Sequence, residues 1–274
     1  MKSFSSKIKE ELSKLNNLAK KDLVKAELSG YLSTTKSNKF ATSSEYNINR
    51  FSKLLSNAGE DNYTIKIEGK NFVIKTKNKV DVKEEVDSED KAKAMARGAF
   101  MASGSVSDPN KDYHLEIVFS EEENSNVVNK ILNDYSINSK VLKRKNEYII
   151  YLKDAEGISN FLAFIGANNS VIEFEEARIV KEVKNQVNRQ VNYETANLNK
   201  TINASVKQIE DIKLIKKKRK FDKLSEGEQA LAEARLKNPN STLSELGQLV
   251  TPNISKSGVT HRMENIAKLA DELR

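Results

Sequence analysis

The sequence predicts an α+β chain, with a duplicated α/β unit first and an all-α, helix-turn-helix unit after it. Three observations carry this. Two glycine-bearing helical stretches, LVKAELSGYLSTTKS at 23–37 and AKAMARGAFMASGSV at 92–106, are each followed by strand, helix and two strands. Residues 224–273 instead repeat apolar side chains at helical spacing, with Pro239 and Pro252 in the gaps, where they break no helix. Between these regions, residues 178–220 hold twelve Lys or Arg against four Asp or Glu.

In the first copy, FATSSEYNI reads as a short alternating strand and NRFSKLLSNAG as a helix. YTIKIEG and KNFVIKTK then read as a hairpin. In the second copy, YHLEIVFS is strand-like, NSNVVNKILNDY is helical, and NSKVLKRK with EYIIYLK is another strand pair. ISNFLAFIGA supplies a closing helix. The copies fall at about residues 20–85 and 90–175 of a first domain spanning 1–180. Gly30 and Gly98 allow the two leading helices to approach closely, and such copies are expected to pack about a pseudo-two-fold axis. Residues 181–200 read as a basic, amide-rich connector and 201–274 as the helical domain.

In that helical domain, Ser225 with Glu228 and Thr242 with Glu245 match the capping-box spacing, which satisfies free amides at a helix start. Ser255 or Ser257 starts a third helix. Leu243, Leu246 and Leu249, then Val259, Met263, Ile266, Leu269 and Leu273, mark the buried faces. A short helix, a turn, and a helix opening Ser-Lys-Ser-Gly-Val-Thr-His-Arg is the layout of a helix-turn-helix. A plain three-helix bundle for protein contact has the same spacing. The candidate DNA contacts are Ser255, Lys256, Ser257, Thr260, His261 and Arg262. Arg262 has the reach for a base and Lys256 for a phosphate, and Ser257 and Thr260 suit either. His261 is equally explained as a core-edge histidine, and Gly258 leaves room for close approach. The run Lys216, Lys217, Lys218, Arg219 and Lys220 is a candidate phosphate track, or else a solvated helix end.

The net charge is +7 and the pI about 9.2, which favours polyanionic partners. There is no cysteine, and His114 and His261 lie far apart, so neither a disulfide, a zinc site nor any cofactor is expected. The opening MKSFSSKIKEELSKL reads as an amphipathic helix, neither a leader nor a membrane span. No membrane partner is expected, and the location is read as cytoplasmic and nucleoid-associated.

Four stretches resemble the WhiA family of bacterial transcriptional regulators, over nearly the whole chain. They are SFSSKIKEEL, RGAFMASGSVSDPNKDYHLEI, FIGA with FEEARIVKEVKNQVNRQVNYETANLNKT, and LSELG with ISKSGVTHR. The resemblance implies an N-terminal domain similar to LAGLIDADG homing endonucleases and a C-terminal helix-turn-helix. It implies a sequence-specific regulator that binds double-stranded DNA and is linked to cell division, chromosome organisation or sporulation. Other transcription or division proteins are further expected partners. In LAGLIDADG nucleases each motif helix ends in a carboxylate that binds a divalent metal. Those two places fall on Thr35 and Ser103, neither of which can carry the charge that Mg²⁺ needs. No catalysis is therefore expected, and an active nuclease would need acids at both places. Asp108, before Pro109, is expected to form a turn. Tyr193 stands where the family is expected to have a cysteine, which removes any thiol role there. The competing reading is a division-linked structural protein that acts through protein contacts, with weak non-specific DNA binding.

Overall fold

The computed structural model describes residues 2–77, 80 and 84–274. The chain divides into two compact units, Met1–Val183 and Lys184–Arg274.

The first unit opens with α1 (Phe4–Ser13), an amphipathic helix that buries Phe4, Ile8 and Leu12. Then come α2 (Lys21–Ser33), β1 (Lys39–Thr42), α3 (Glu45–Ala58), β2 (Tyr63–Glu68) and β3 (Asn71–Thr76). The second copy is α4 (Glu89–Ser103), β4 (Gly104–Val106), β5 (Leu115–Phe119), α5 (Glu122–Asp134), β6 (Lys140–Arg144), β7 (Glu147–Leu152) and α6 (Ala155–Ile165). The duplicated order is the one read from the sequence, with two differences. The helix expected to begin near Asn49 begins at Glu45, because the Ser44 hydroxyl accepts the Asn47 amide and caps it there. The second copy also gains β4, which pairs antiparallel with β5 from Gly104 opposite Ile117 to Val106 opposite Leu115.

Each copy forms its own antiparallel sheet, ordered β1-β3-β2 in the first and β4-β5-β7-β6 in the second. The β2–β3 hairpin turns at Gly69, whose φ of +60° is the left-handed region a side chain disfavours. Helices α2 and α4 pack directly on each other, and one continuous apolar core, including Leu28, Tyr31, Ala99 and Phe100, surrounds the pair.

Helix α7 runs from Asn168 to Lys217 and contains neither Gly nor Pro. Its start is held by a residue far away in sequence. The Glu11 carboxylate accepts the Asn169 amide at 2.7 Å, and the Ser170 amide and hydroxyl at 2.9 and 2.5 Å. A carboxylate at the positive end of a helix dipole stabilises that end. Phe174, fully buried, packs on Phe4 and Tyr113 within the first unit. The connector expected at 181–200 is helical throughout, and every residue from 182 to 200 is exposed.

The second unit contains the rest of α7, then α8 (Glu226–Lys237), α9 (Leu243–Leu249) and α10 (Lys256–Glu272). Both capping boxes form as spaced, Ser225 with Glu228 and Thr242 with Glu245. Ser255 caps α10 by accepting the Gly258 amide. Ile212, Ile215, Leu231, Leu246, Val259, Met263 and Ile266 close this unit's separate core. Arg235, almost wholly buried, donates to Gln208 Oε1 at 2.9 Å and to the Ser241 carbonyl at 2.6 Å. It thereby fixes the turn between α8 and α9. No described helix is long and apolar enough to cross a membrane.

Candidate nucleic-acid interface

Helices α9 and α10 join through residues 250–255, and Gly247 sets how closely they meet. A methyl there would stand 2.2 Å from the Ile254 carbonyl oxygen, so only glycine fits. Gly258, expected to leave room for close approach of backbone to DNA or to the neighbouring helix, would bring a methyl no nearer than 3.6 Å to its neighbours, so no helix crowds it. The tight position therefore lies in the first helix of the motif. Val259, Met263 and Ile266 are buried, as their spacing predicts, and they orient the opposite side of α10.

That opposite side carries Lys256, Ser257 and His261, all exposed, and Thr260, half-buried. With Glu264 they line one shallow depression. Ser255 is engaged as the cap, and its hydroxyl also meets that of Ser257 at 2.9 Å. Thr260 donates to the Lys256 carbonyl at 3.0 Å. His261 is exposed and, among the described residues, makes only a long 3.5 Å contact to Asn265. It is not a core-edge histidine. The free amides and dipole at the start of α10 add partial positive charge beside Lys256.

Arg262 departs from expectation. Its guanidinium lies against α8, donating to the Gly227 carbonyl at 3.1 Å. A methyl on Gly227 would fall 2.6 Å from its Nη1, so the two residues are fitted to each other. Arg262 is half-buried, and in this structure its guanidinium is engaged on α8. Next to it, burial pushes the Glu228 carboxyl up, but hydrogen bonds from Asn265 and Ser225 outweigh this and hold it below the usual range. A charged Glu228 thus sits beside Arg262 and keeps the cap of α8 intact.

The cationic run is an exposed helix end. Lys216 and Lys217 close α7, and Arg219, at φ +54°, turns the chain. Lys216 is bound to Glu233 and lies 4.7 Å from the Phe221 ring centre. Lys217, Lys218, Arg219 and Lys220 are exposed.

In the first unit, Ser103 is the last residue of α4. Its hydroxyl donates to the Val118 carbonyl at 2.7 Å and accepts the Val118 amide at 3.2 Å. Thr35 lies two residues beyond α2, its hydroxyl accepting the Ser37 amide at 3.1 Å. Both side chains are used to tie down backbone. Asp108 accepts the Asn110 amide at 3.0 Å within a turn, and that bond lowers its carboxyl. Among the described residues, no three His, Asp or Glu side chains are grouped to hold a metal.

Sequence reasoning missed the charged cluster beneath α2. Glu27, nearly inaccessible, accepts from Arg50 Nε and Nη2, both at 2.8 Å, and from Arg97 Nε at 3.0 Å. The arginines also donate to the Leu15 carbonyl at 2.6 Å and the Ile165 carbonyl at 2.9 Å. Burial pushes the Glu27 carboxyl up, but the Arg50 hydrogen bonds and the Arg97 charge hold it below the ordinary range.

The fold and these sites define a two-part chain, a LAGLIDADG-like α+β unit followed by a helical helix-turn-helix unit. The family model described as the WhiA LAGLIDADG-like domain matches residues 92–184, and that of the WhiA C-terminal HTH domain matches 187–270. Together they cover well over half of the chain, which belongs to the WhiA family. A "Probable cell division protein WhiA" from Clostridium botulinum is 48% identical over 189 residues, covering 69% of this chain and 60% of that protein. Its counterpart from Clostridium acetobutylicum is 47% identical over 195 residues, covering 71% and 62%. The matches thus span about three fifths of those relatives' length. The crystal structure of full-length WhiA from Thermotoga maritima aligns with a TM-score of 0.62 at 28% identity, covering 99% of both chains. The N-terminal LAGLIDADG domain of WhiA aligns at 0.53 and 26% identity, covering 61% of this chain and 94% of that one.

Proposed function

We propose that this chain is a sequence-specific DNA-binding regulator of transcription linked to cell division, and that its first unit is not a nuclease. The observation that carries the reading is the start of α10. A capped helix presents Lys256, Ser257, Thr260 and His261 outward from a helix-turn-helix, while Val259 and Met263 hold it in place. The relatives' printed name, a probable cell division protein, supports the cellular setting. The neutral Thr35 and Ser103, each committed to backbone, support a binding platform over phosphodiester chemistry.

A footprint on genomic duplex DNA tests this. The full chain should protect discrete sites, and Lys256→Ala with Thr260→Ala should lose them. With Mg²⁺ or Mn²⁺ present, the bound duplex should stay intact. Uniform protection without sites would favour a division-linked protein with only non-specific DNA affinity, and cleavage that tracked the purified protein would restore the nuclease.

A further inference from the structure

We propose that one face of α7, within the second unit, is a further duplex-DNA contact surface, distinct from α10 and from the helix end at Lys217. The inference rests on the DNA-binding reading above and names where else the same polymer is held.

Residues 184–200 of α7 are all exposed. At about 100° of rotation per residue, the stretch from 187 to 207 divides into three sides. Val187, Val191, Leu198 and Ile202 fall within about 60° of each other on one. On a second side, Gln190 donates to Glu194 at 2.6 Å and Thr201 to the Asn197 carbonyl at 3.0 Å. Apart from Ala196 and Val206, the third side, about 120° wide, carries Asn188, Arg189, Asn192, Asn199, Lys200 and Asn203, and Lys207 extends it. It contains no carboxylate. None of these seven side chains has a hydrogen-bond or ion-pair partner among the described residues.

This face is costly if it meets only water. Asparagine ranks among the poorer helix formers, and the usual solvated face alternates Glu and Lys four residues apart. Four amides with three unopposed cations are instead the donor and acceptor set that duplex DNA rewards. Arg and Lys meet phosphate or guanine, and Asn pairs with the adenine edge. An acidic protein surface would need the cations and gain little from the amides. Farther along the same helix, past the exposed Glu210, Lys217 ends α7 on the same side.

The test titrates the full chain with a footprinted duplex over a range of salt. One variant is Asn188→Ala with Asn192→Ala and Asn199→Ala, and a second is Arg189→Gln with Lys200→Gln and Lys207→Gln. Alanine favours helix, so helical circular dichroism in the first should not fall. The amide variant should bind about tenfold or more weakly with its salt slope unchanged. The cation variant should lose about two to three units of slope in log affinity against log salt. Lys256→Ala is run beside them. If it weakens binding while both α7 variants match the parent, this inference falls, the regulator reading stands, and the face belongs to a protein partner. If the parent binds no duplex, both fall together.

Discussion

A methyl group on Gly30 would stand 2.1 Å from the Met95 carbonyl oxygen, and one on Gly98 would stand 1.9 Å from the Glu27 carbonyl oxygen. The next contacts are Ala99 for Gly30 and Tyr31 for Gly98. Each glycine therefore meets the residue three before, and the residue one after, the other. That reciprocity is what a local two-fold axis between α2 and α4 requires, and it brings backbone onto backbone with no room for Cβ.

Gly30→Ala or Gly98→Ala should therefore force the helices apart. Overpacking of this kind costs about 1–3 kcal/mol or more. Urea unfolding of the parent and each variant measures it. Gly258→Ala, in ordinary surroundings on α10, should cost far less.

Glu27 gives a second stability prediction. Removing it leaves two buried guanidinium groups uncompensated, so Glu27→Ala should cost about 3–5 kcal/mol. The pH dependence follows from its lowered carboxyl. A group depressed in the folded state contributes fully above its unfolded value, and the contribution disappears as pH falls through the lower folded value. Parent stability should decline on acidification through and below the ordinary carboxylate range. In Glu27→Gln, the part of that decline due to Glu27 should be missing.

These two features differ in how far the sequence discloses them. The glycine-bearing helices are legible because the same order of elements follows each. The capping boxes are legible because Ser225, Glu228, Thr242 and Glu245 stand at fixed offsets, and a local motif needs no tertiary information. The Glu27 cluster is not legible. Its partners are 23 and 70 residues away, and periodicity cannot say which charged residue will be buried. The same applies to Glu11 capping α7, and to β4, three residues long and defined only by its pairing with β5. The middle of α7 read as a connector because of its amides, although the absence of Gly and Pro from 168 to 217 already permitted a helix. On α10 the inward set was readable from spacing. Arg262 was not, because a long side chain one position before Met263 can turn either way.

Arg262 and Lys256 should separate cleanly. Arg262→Ala removes packing and a hydrogen bond on Gly227, so it should lower the melting temperature of the second unit and weaken binding evenly across sequences. Lys256→Ala touches no core contact. It should leave melting unchanged and reduce the salt slope by about one unit. Altered preference at a single base pair in Arg262→Ala, with unchanged melting, would return Arg262 to a reading role.

Within the cationic run, position should matter more than charge count. Neutralising Lys217, Lys218 and Lys220 together should flatten the salt dependence of DNA binding. Lys216→Gln should flatten it less, because Glu233 already holds that ammonium group. Equal effects would mean that the Glu233 pair opens on binding.

The Ser103 hydroxyl carries a different kind of consequence, for what the end of α4 can hold. It donates a hydrogen bond to the Val118 carbonyl and accepts one from the Val118 amide, filling the ladder positions that β4 leaves empty beyond Gly104. An aspartate at the same place would set a second acceptor against that carbonyl and leave the strand end without a donor. A carboxylate at position 103 would thus require the strand end to be rebuilt. Ser103→Asp should therefore loosen the edge of the second sheet before the new carboxylate could hold anything.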